Sequence, residues 1–107
     1  MGQSPDNLSS DIKKLPAALL YLSNESCNIC KVLRPQVEKL LRDEFAKMKF
    51  IYVDVNKAPE LAAQFSVFTI PTVIAYFEGK EFFRKARAFG IAELATELQR
   101  PYDLLFK

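Results

Sequence analysis

At 107 residues, half of them hydrophobic, the chain is long enough for one domain with a real core and too short for two. A net charge of +2, from 15 basic and 13 acidic residues with the signs interspersed, gives no footprint for a nucleic-acid partner. Two cysteines are too few to staple a secreted mini-protein, which leaves redox chemistry, metal binding or plain burial as their use. No apolar run approaches the roughly 18 residues of a membrane span, so no membrane association is expected. The start, Met1-Gly2-Gln3-Ser4-Pro5-Asp6, has neither the charged nor the apolar part of a signal peptide. The cytoplasm is the expected compartment, with a removed targeting segment left open. The sequons at Asn7 and Asn24 then carry no glycan.

In chain order, residues 1–7 are polar and read as a flexible N-terminus, with a single domain over 8–107. Ser9-Ser10-Asp11 is a capping cluster for a short helix carrying Ile12 and Leu15 and ending at Pro16. The unbroken apolar run Ala17 to Leu22 predicts a strand buried on both faces. A helix to about Lys47 follows, with Leu33, Val37, Leu40, Leu41, Phe45 and Met48 in one stripe. Pro35 inside it predicts a kink.

Phe50 to Val55 reads as a second buried strand, and Pro59 opens a short helix through Phe65. Thr72 to Phe77 is a third strand, and the turn Glu78-Gly79-Lys80 leads to a fourth from Glu81 to about Arg87. The basic group Arg84-Lys85-Arg87 reads as a solvated strand face. After Gly90 a closing helix carries Ile91, Leu94, Ala95 and Leu98. Pro101 is expected to end or kink it, leaving Tyr102 to Phe106 as an apolar tail able to pack on a partner. The order of elements predicts an α/β arrangement with a parallel part and an antiparallel edge.

The two cysteines stand three apart, Cys27-Asn28-Ile29-Cys30, between the first strand and the long helix. A thiol at a helix N-terminus is favoured as thiolate by free backbone N–H groups and the helix dipole. The second cysteine lies about one turn on, near enough to close a small disulfide. Lys31 and Arg34 favour a Cys27 thiolate and Glu25 opposes it.

From about Leu19 to Leu98 the chain resembles the thioredoxin family. The resemblance rests on Cys27-x-x-Cys30 followed by Lys31, and on Pro35 five residues past the second cysteine. It extends to Tyr52-Val53-Asp54-Val55-Asn56, Ala58-Pro59-Glu60-Leu61-Ala62, Ile70-Pro71-Thr72 and Glu78-Gly79-Lys80. It implies a three-layer α/β/α fold with a central mixed sheet, a cis peptide bond before Pro71 and a β-hairpin. It also implies a thiol–disulfide oxidoreductase, with Cys27 as nucleophile and Cys30 as resolving thiol, reducing protein disulfides. Ile70 and Pro71, with Ser26, Asn28 and Ile29, would meet the substrate. The redox-active disulfide is then the only redox group, and no metal or cofactor is implied. The chain has no nucleotide-binding glycine motif, so its electrons must come from a partner reductase. The family is mostly monomeric, and a monomer is expected.

The chain departs from the family pattern in three changes, spread over five positions. Ser26 replaces an aromatic before the nucleophile, and Asn28-Ile29 replaces Gly-Pro between the cysteines, a change that leans toward a more oxidising disulfide. Tyr21 stands where the family has a buried aspartate, and Tyr52 where it has the accompanying lysine. Removing both members of a buried charge pair is coherent, since removing one would strand the other. Without that carboxylate, deprotonation of Cys30 falls to water, Glu25 or the substrate, and slow turnover is expected. Phe68, beside the cis-proline segment, is a candidate for the substrate surface. The alternative to an enzyme is a binding or adaptor protein of the same fold with little or no redox activity.

Overall fold

The computed structural model describes residues 5–87 and 89–106, and of residues 5–7, 29 and 30 the backbone alone. The described residues form, in chain order, α1 (Pro5–Lys14), β1 (Ala17–Ser23), α2 (Asn28–Glu44), β2 (Lys49–Asp54), α3 (Pro59–Gln64), β3 (Thr72–Phe77), β4 (Lys80–Ala86) and α4 (Ile91–Phe106). They build one mixed sheet in the order β2-β1-β3-β4. β1 pairs parallel with β2 and antiparallel with β3, and β4 closes the far edge antiparallel to β3.

The central position of β1 explains its composition. Every residue from Ala17 to Ser23 is buried, because the strand has a neighbour on each side and helices over each face. Alternate side chains go to opposite layers. Ala17, Leu19 and Tyr21 join the core under α2 and α4, with Leu33, Val37, Phe45, Leu94 and Leu98. Ala18, Leu20 and Leu22 join a second core with Leu8 and Ile12 of α1 and Leu61 of α3. The chain thus forms the three-layer α/β/α arrangement that the family resemblance implies.

α1 begins at Pro5, so Ser9, Ser10 and Asp11 lie inside it and do not cap it. Proline suits a first turn, and the buried pair Leu8 and Ile12, one turn apart, extends the apolar stripe backward past the cap-like residues. Residues 5–7, expected to be flexible, form the first turn of this helix. α2 ends at Glu44, earlier than expected, while Phe45 and Met48 stay buried beyond its end. Pro35 is contained within α2.

The larger correction is α4, which runs through Pro101 to Phe106. The expected tail is helical and packs on its own domain. The Tyr102 ring meets Phe45 edge-on at 5.0 Å, and its hydroxyl accepts the Lys47 N–H at 3.2 Å. Those contacts hold the last turn against the hydrogen bond that Pro101 cannot donate. Of the expected partner-binding tail, Leu104 alone stays largely exposed, at 75%.

The β3–β4 hairpin turns on two residues, Glu78 and Gly79, both with positive φ (54° and 80°), which matches the right-handed strand twist. Gly79 is doubly constrained, since a Cβ there would come within 3.1 Å of the Lys13 backbone. No helix among the described residues is long and apolar enough to cross a membrane.

Candidate active site

Strand register gathers the site. Leu22 at the end of β1 pairs with Thr72 at the start of β3, and Ser23 pairs with Asp54 at the end of β2. The segments after β1 and before β3 therefore emerge at one end of the sheet. The first carries Ser26, Cys27 and Asn28; the second carries Phe68, Ile70 and Pro71.

Local hydrogen bonds shape the first segment. The Asn24 side-chain oxygen accepts the Ser26 N–H at 3.0 Å, and the Asn24 carbonyl accepts the Cys27 N–H at 3.4 Å. This side-chain turn delivers the chain to α2. The Cys27 carbonyl accepts the Lys31 N–H at 3.1 Å, which places Cys27 at the N-cap of α2. No acidic residue stands in the first turn to offset the positive end of the helix dipole. Cys27 is half-buried and disulfide-bonded, with Ser26 and Asn28 exposed beside it. The side chains of Ile29 and Cys30 lie outside the described residues.

The second segment is pinned at both ends. Thr72 donates its hydroxyl to the Thr69 carbonyl at 2.7 Å, and the Pro71 carbonyl accepts the Arg87 N–H at 2.8 Å. The Ile70–Pro71 peptide bond is cis. Pro71 is buried and Ile70 half-buried. Upstream, Arg84 of β4 donates to the carbonyls of Phe65 and of Ser66, a residue with φ of 57°. Phe68 projects from between these anchors, 90% exposed. On the third side, Asp54 builds the β2–α3 turn: its carboxylate accepts the N–H groups of Asn56 and Lys57, a structural role.

Behind the cysteine segment lies a group that sequence reasoning only half saw. Tyr21 and Tyr52 are register partners on β1 and β2, with ring centroids 6.2 Å apart and planes 26° apart. The Arg34 guanidinium lies 3.8 Å over the Tyr52 ring. Its Nε is buried without a hydrogen-bond partner among the described residues, and Glu38 stands 3.4 Å away as an ion-pair contact. Ser23 donates its hydroxyl to Tyr52 at 3.4 Å. Burial, then the neighbouring Tyr52, pushes the Tyr21 hydroxyl up to about 12, with Arg34 pulling the other way. Tyr21 is therefore protonated at neutral pH and cannot serve as the base its family position would otherwise supply. A cavity of about 430 Å³ joins this group to the site, lined by Ser23, Asn24, Glu25, Lys31, Arg34 and Tyr52.

Arg34 is predicted from sequence only as a charge near Cys27. The available signal was its spacing, one turn past Cys30 and just before Pro35, together with an aromatic in place of a charge at position 52. Nothing in the sequence alone says that the guanidinium stacks on that ring.

The thioredoxin family model matches residues 2–100. The chain belongs to the thioredoxin family. Among its relatives, the thioredoxin-like protein YdfQ of Bacillus subtilis is 31% identical over 98 residues, covering 92% of this chain and 87% of that one. The thioredoxin of Chlamydia trachomatis is 40% identical over 57 residues, 53% of this chain and 55% of that one. Thioredoxin 1 of Thermosipho africanus superposes with a TM-score of 0.76 at 30% identity, over 84% of this chain and 99% of that one. Family and fold together support a thiol–disulfide oxidoreductase in general.

Proposed function

We propose that the protein is a thiol–disulfide oxidoreductase that reduces protein disulfides through Cys27 and Cys30. The observation that carries this reading is the placement of a disulfide-bonded Cys27 at the N-cap of α2, at the sheet end that also presents the cis Ile70–Pro71 bond.

In the reduced protein, the Cys27 thiolate attacks one sulfur of a substrate disulfide. The substrate S–S bond breaks, one substrate sulfur leaves as thiolate and takes a proton, and a mixed disulfide with Cys27 remains. Cys30 loses its proton and attacks the Cys27 sulfur. The Cys27–Cys30 bond forms, the mixed disulfide breaks, and the second substrate sulfur leaves and is protonated. The substrate has gained two electrons from the protein and two protons, one released by Cys30 and one taken from solvent. A reductase carrying a dithiol returns both and is itself left as a disulfide.

The exposed Ser26 and Asn28, together with Ile29 and Ile70, meet the substrate chain, with the backbone of Ile70 available to pair with it and the buried Pro71 shaping that loop from beneath. Phe68 extends that surface with an apolar side chain, in place of the aromatic that Ser26 lacks. The working form is a monomer in the cytoplasm.

The test is equilibration in graded thiol–disulfide buffers, counting alkylated cysteines by mass, together with reduction of insulin. A cooperative two-cysteine transition near the roughly −270 mV of thioredoxins, and insulin reduction lost in Cys27→Ala, are expected. A protein that binds partners equally well with Cys27→Ala and shows no cooperative transition is an adaptor instead.

A further inference from the structure

Arg34 is a cation held in an unusual way. Most surface arginines satisfy the guanidinium with carboxylates or carbonyls. Here the guanidinium lies flat on Tyr52 at 3.8 Å, its Nε is buried without a hydrogen bond among the described residues, and Glu38 reaches it at 3.4 Å. A ring face attracts a cation without neutralising it. The side chain remains 41% exposed overall, and it opens on the cavity that reaches Asn24 and Glu25, next to the cysteine segment. Along α2, Arg34 follows Cys30 by four positions, so the two positions share one helix face.

The charges around it are Lys31 and Glu38 on α2, Glu25 in the preceding loop, Tyr21 on β1 and Tyr52 on β2. Burial pushes the Tyr21 hydroxyl up to about 12, so it stays neutral in the physiological range and does not cancel the guanidinium. Among the described residues Glu38 is the carboxylate paired with it, and its geometry is that of a partial pairing.

We propose that Arg34, docked on Tyr52, is a positioning residue that supplies a permanent positive charge to the Cys27–Cys30 pair. It stabilises the thiolate of the reduced form and thereby makes the disulfide the stronger oxidant. This deepens the function proposed above and rests on it. The group acts through electrostatics, one helical turn from Cys30 and about two turns from Cys27, and touches no reacting atom. The replacement of two charged positions by Tyr21 and Tyr52 acquires a purpose: the rings make a flat, uncharged floor on which a fixed cation lies, in a place where a carboxylate would have cancelled it.

The experiment measures two quantities, the dithiol–disulfide equilibrium against a glutathione buffer and the ultraviolet titration of the thiolate. The variants are Arg34→Met, Arg34→Lys and Glu38→Gln. Arg34→Met shifts the equilibrium toward the disulfide by about tenfold, equal to a potential about 30 mV lower, and moves the thiol titration to higher pH. Glu38→Gln, which releases the cation, shifts both readouts the opposite way, by about threefold. Arg34→Lys keeps the charge and stays within about threefold of the parent. A merely structural role for Arg34 would not give opposite signs for the first two. Unchanged readouts in Arg34→Met, or shifts of the same sign in Arg34→Met and Glu38→Gln, overturn the proposal while a cooperative parent transition leaves the oxidoreductase reading standing. A parent with no cooperative transition overturns both.

Discussion

The two edges of the sheet handle positive charge in opposite ways. On the β4 edge, Arg84 makes a two-pronged contact with Glu81, with 2.8 Å to each carboxylate oxygen, and also donates to the Phe65 and Ser66 carbonyls. Beside it, Lys85 reaches both Glu93, at 2.5 Å, and Glu97. On the β2 edge, Arg34 has a ring beneath it and one looser carboxylate. The expected solvated face at Arg84-Lys85-Arg87 holds, with Arg84 and Arg87 exposed, and Arg84 and Lys85 also tie β4 to the loop before the cis-proline and to α4. A cation surrounded by acceptors fastens two elements together, and its field is spent locally. One laid on an aromatic face keeps its field for whatever stands nearby.

The comparison can be broken by exchanging stability and potential as readouts. The largest expected effect is Tyr52→Leu, which removes the stack on Tyr21 and the seat of Arg34. About 2 kcal/mol of stability should be lost in urea unfolding, and the redox midpoint should move in the same direction as in Arg34→Met. If the midpoint holds while stability falls, the ring is packing alone.

Next is Arg84→Met, expected to cost about 1 kcal/mol by the same method with no change of midpoint. That loss should depend on pH. Hydrogen bonding from Arg84 holds the Glu81 carboxyl below its ordinary value of 4.5, so the pair's contribution is complete above that pH. It is lost as the pH falls through the lowered folded value. Parent and Arg84→Met should therefore converge on acidification, and a gap that persists into strong acid would show that the carbonyl contacts, and not Glu81, carry the effect.

A smaller effect is expected for Lys85→Met, because its partners Glu93 and Glu97 are solvent-facing. Thermal unfolding should show a modest loss that shrinks in high salt. The smallest is Tyr21→Phe. A hydroxyl pushed up to about 12 stays protonated through the working range, so the pH profile of disulfide reduction between neutrality and mild alkali should be unchanged. A pH profile altered by this variant would mean that the Tyr21 hydroxyl takes part in proton movement after all.

Short-range physics accounts for the elements that the residues announce on their own. The unbroken run Ala17 to Leu22 could only be a central strand, because no other place buries both faces of a strand. The stripe from Leu33 to Leu41 marked the buried face of α2, and Glu78-Gly79 marked a tight hairpin. The cysteine pair at a helix start and Ile70-Pro71-Thr72 downstream are legible in the sequence as the segments that follow β1 and precede β3.

Tertiary structure decided the rest. Local rules placed a cap at Ser9 and a stop at Pro101. Burial of Leu8 and Ile12 overrode the first, and the seating of Tyr102 on Phe45 overrode the second. Both outcomes depend on surfaces supplied by distant parts of the chain, to which propensities are blind. The same holds for Arg34. Its charge was plain in the sequence, but whether a guanidinium meets a carboxylate or lies on a ring depends on which strand passes beneath it. Here that strand is β2, brought alongside β1 by pairing Tyr21 with Tyr52.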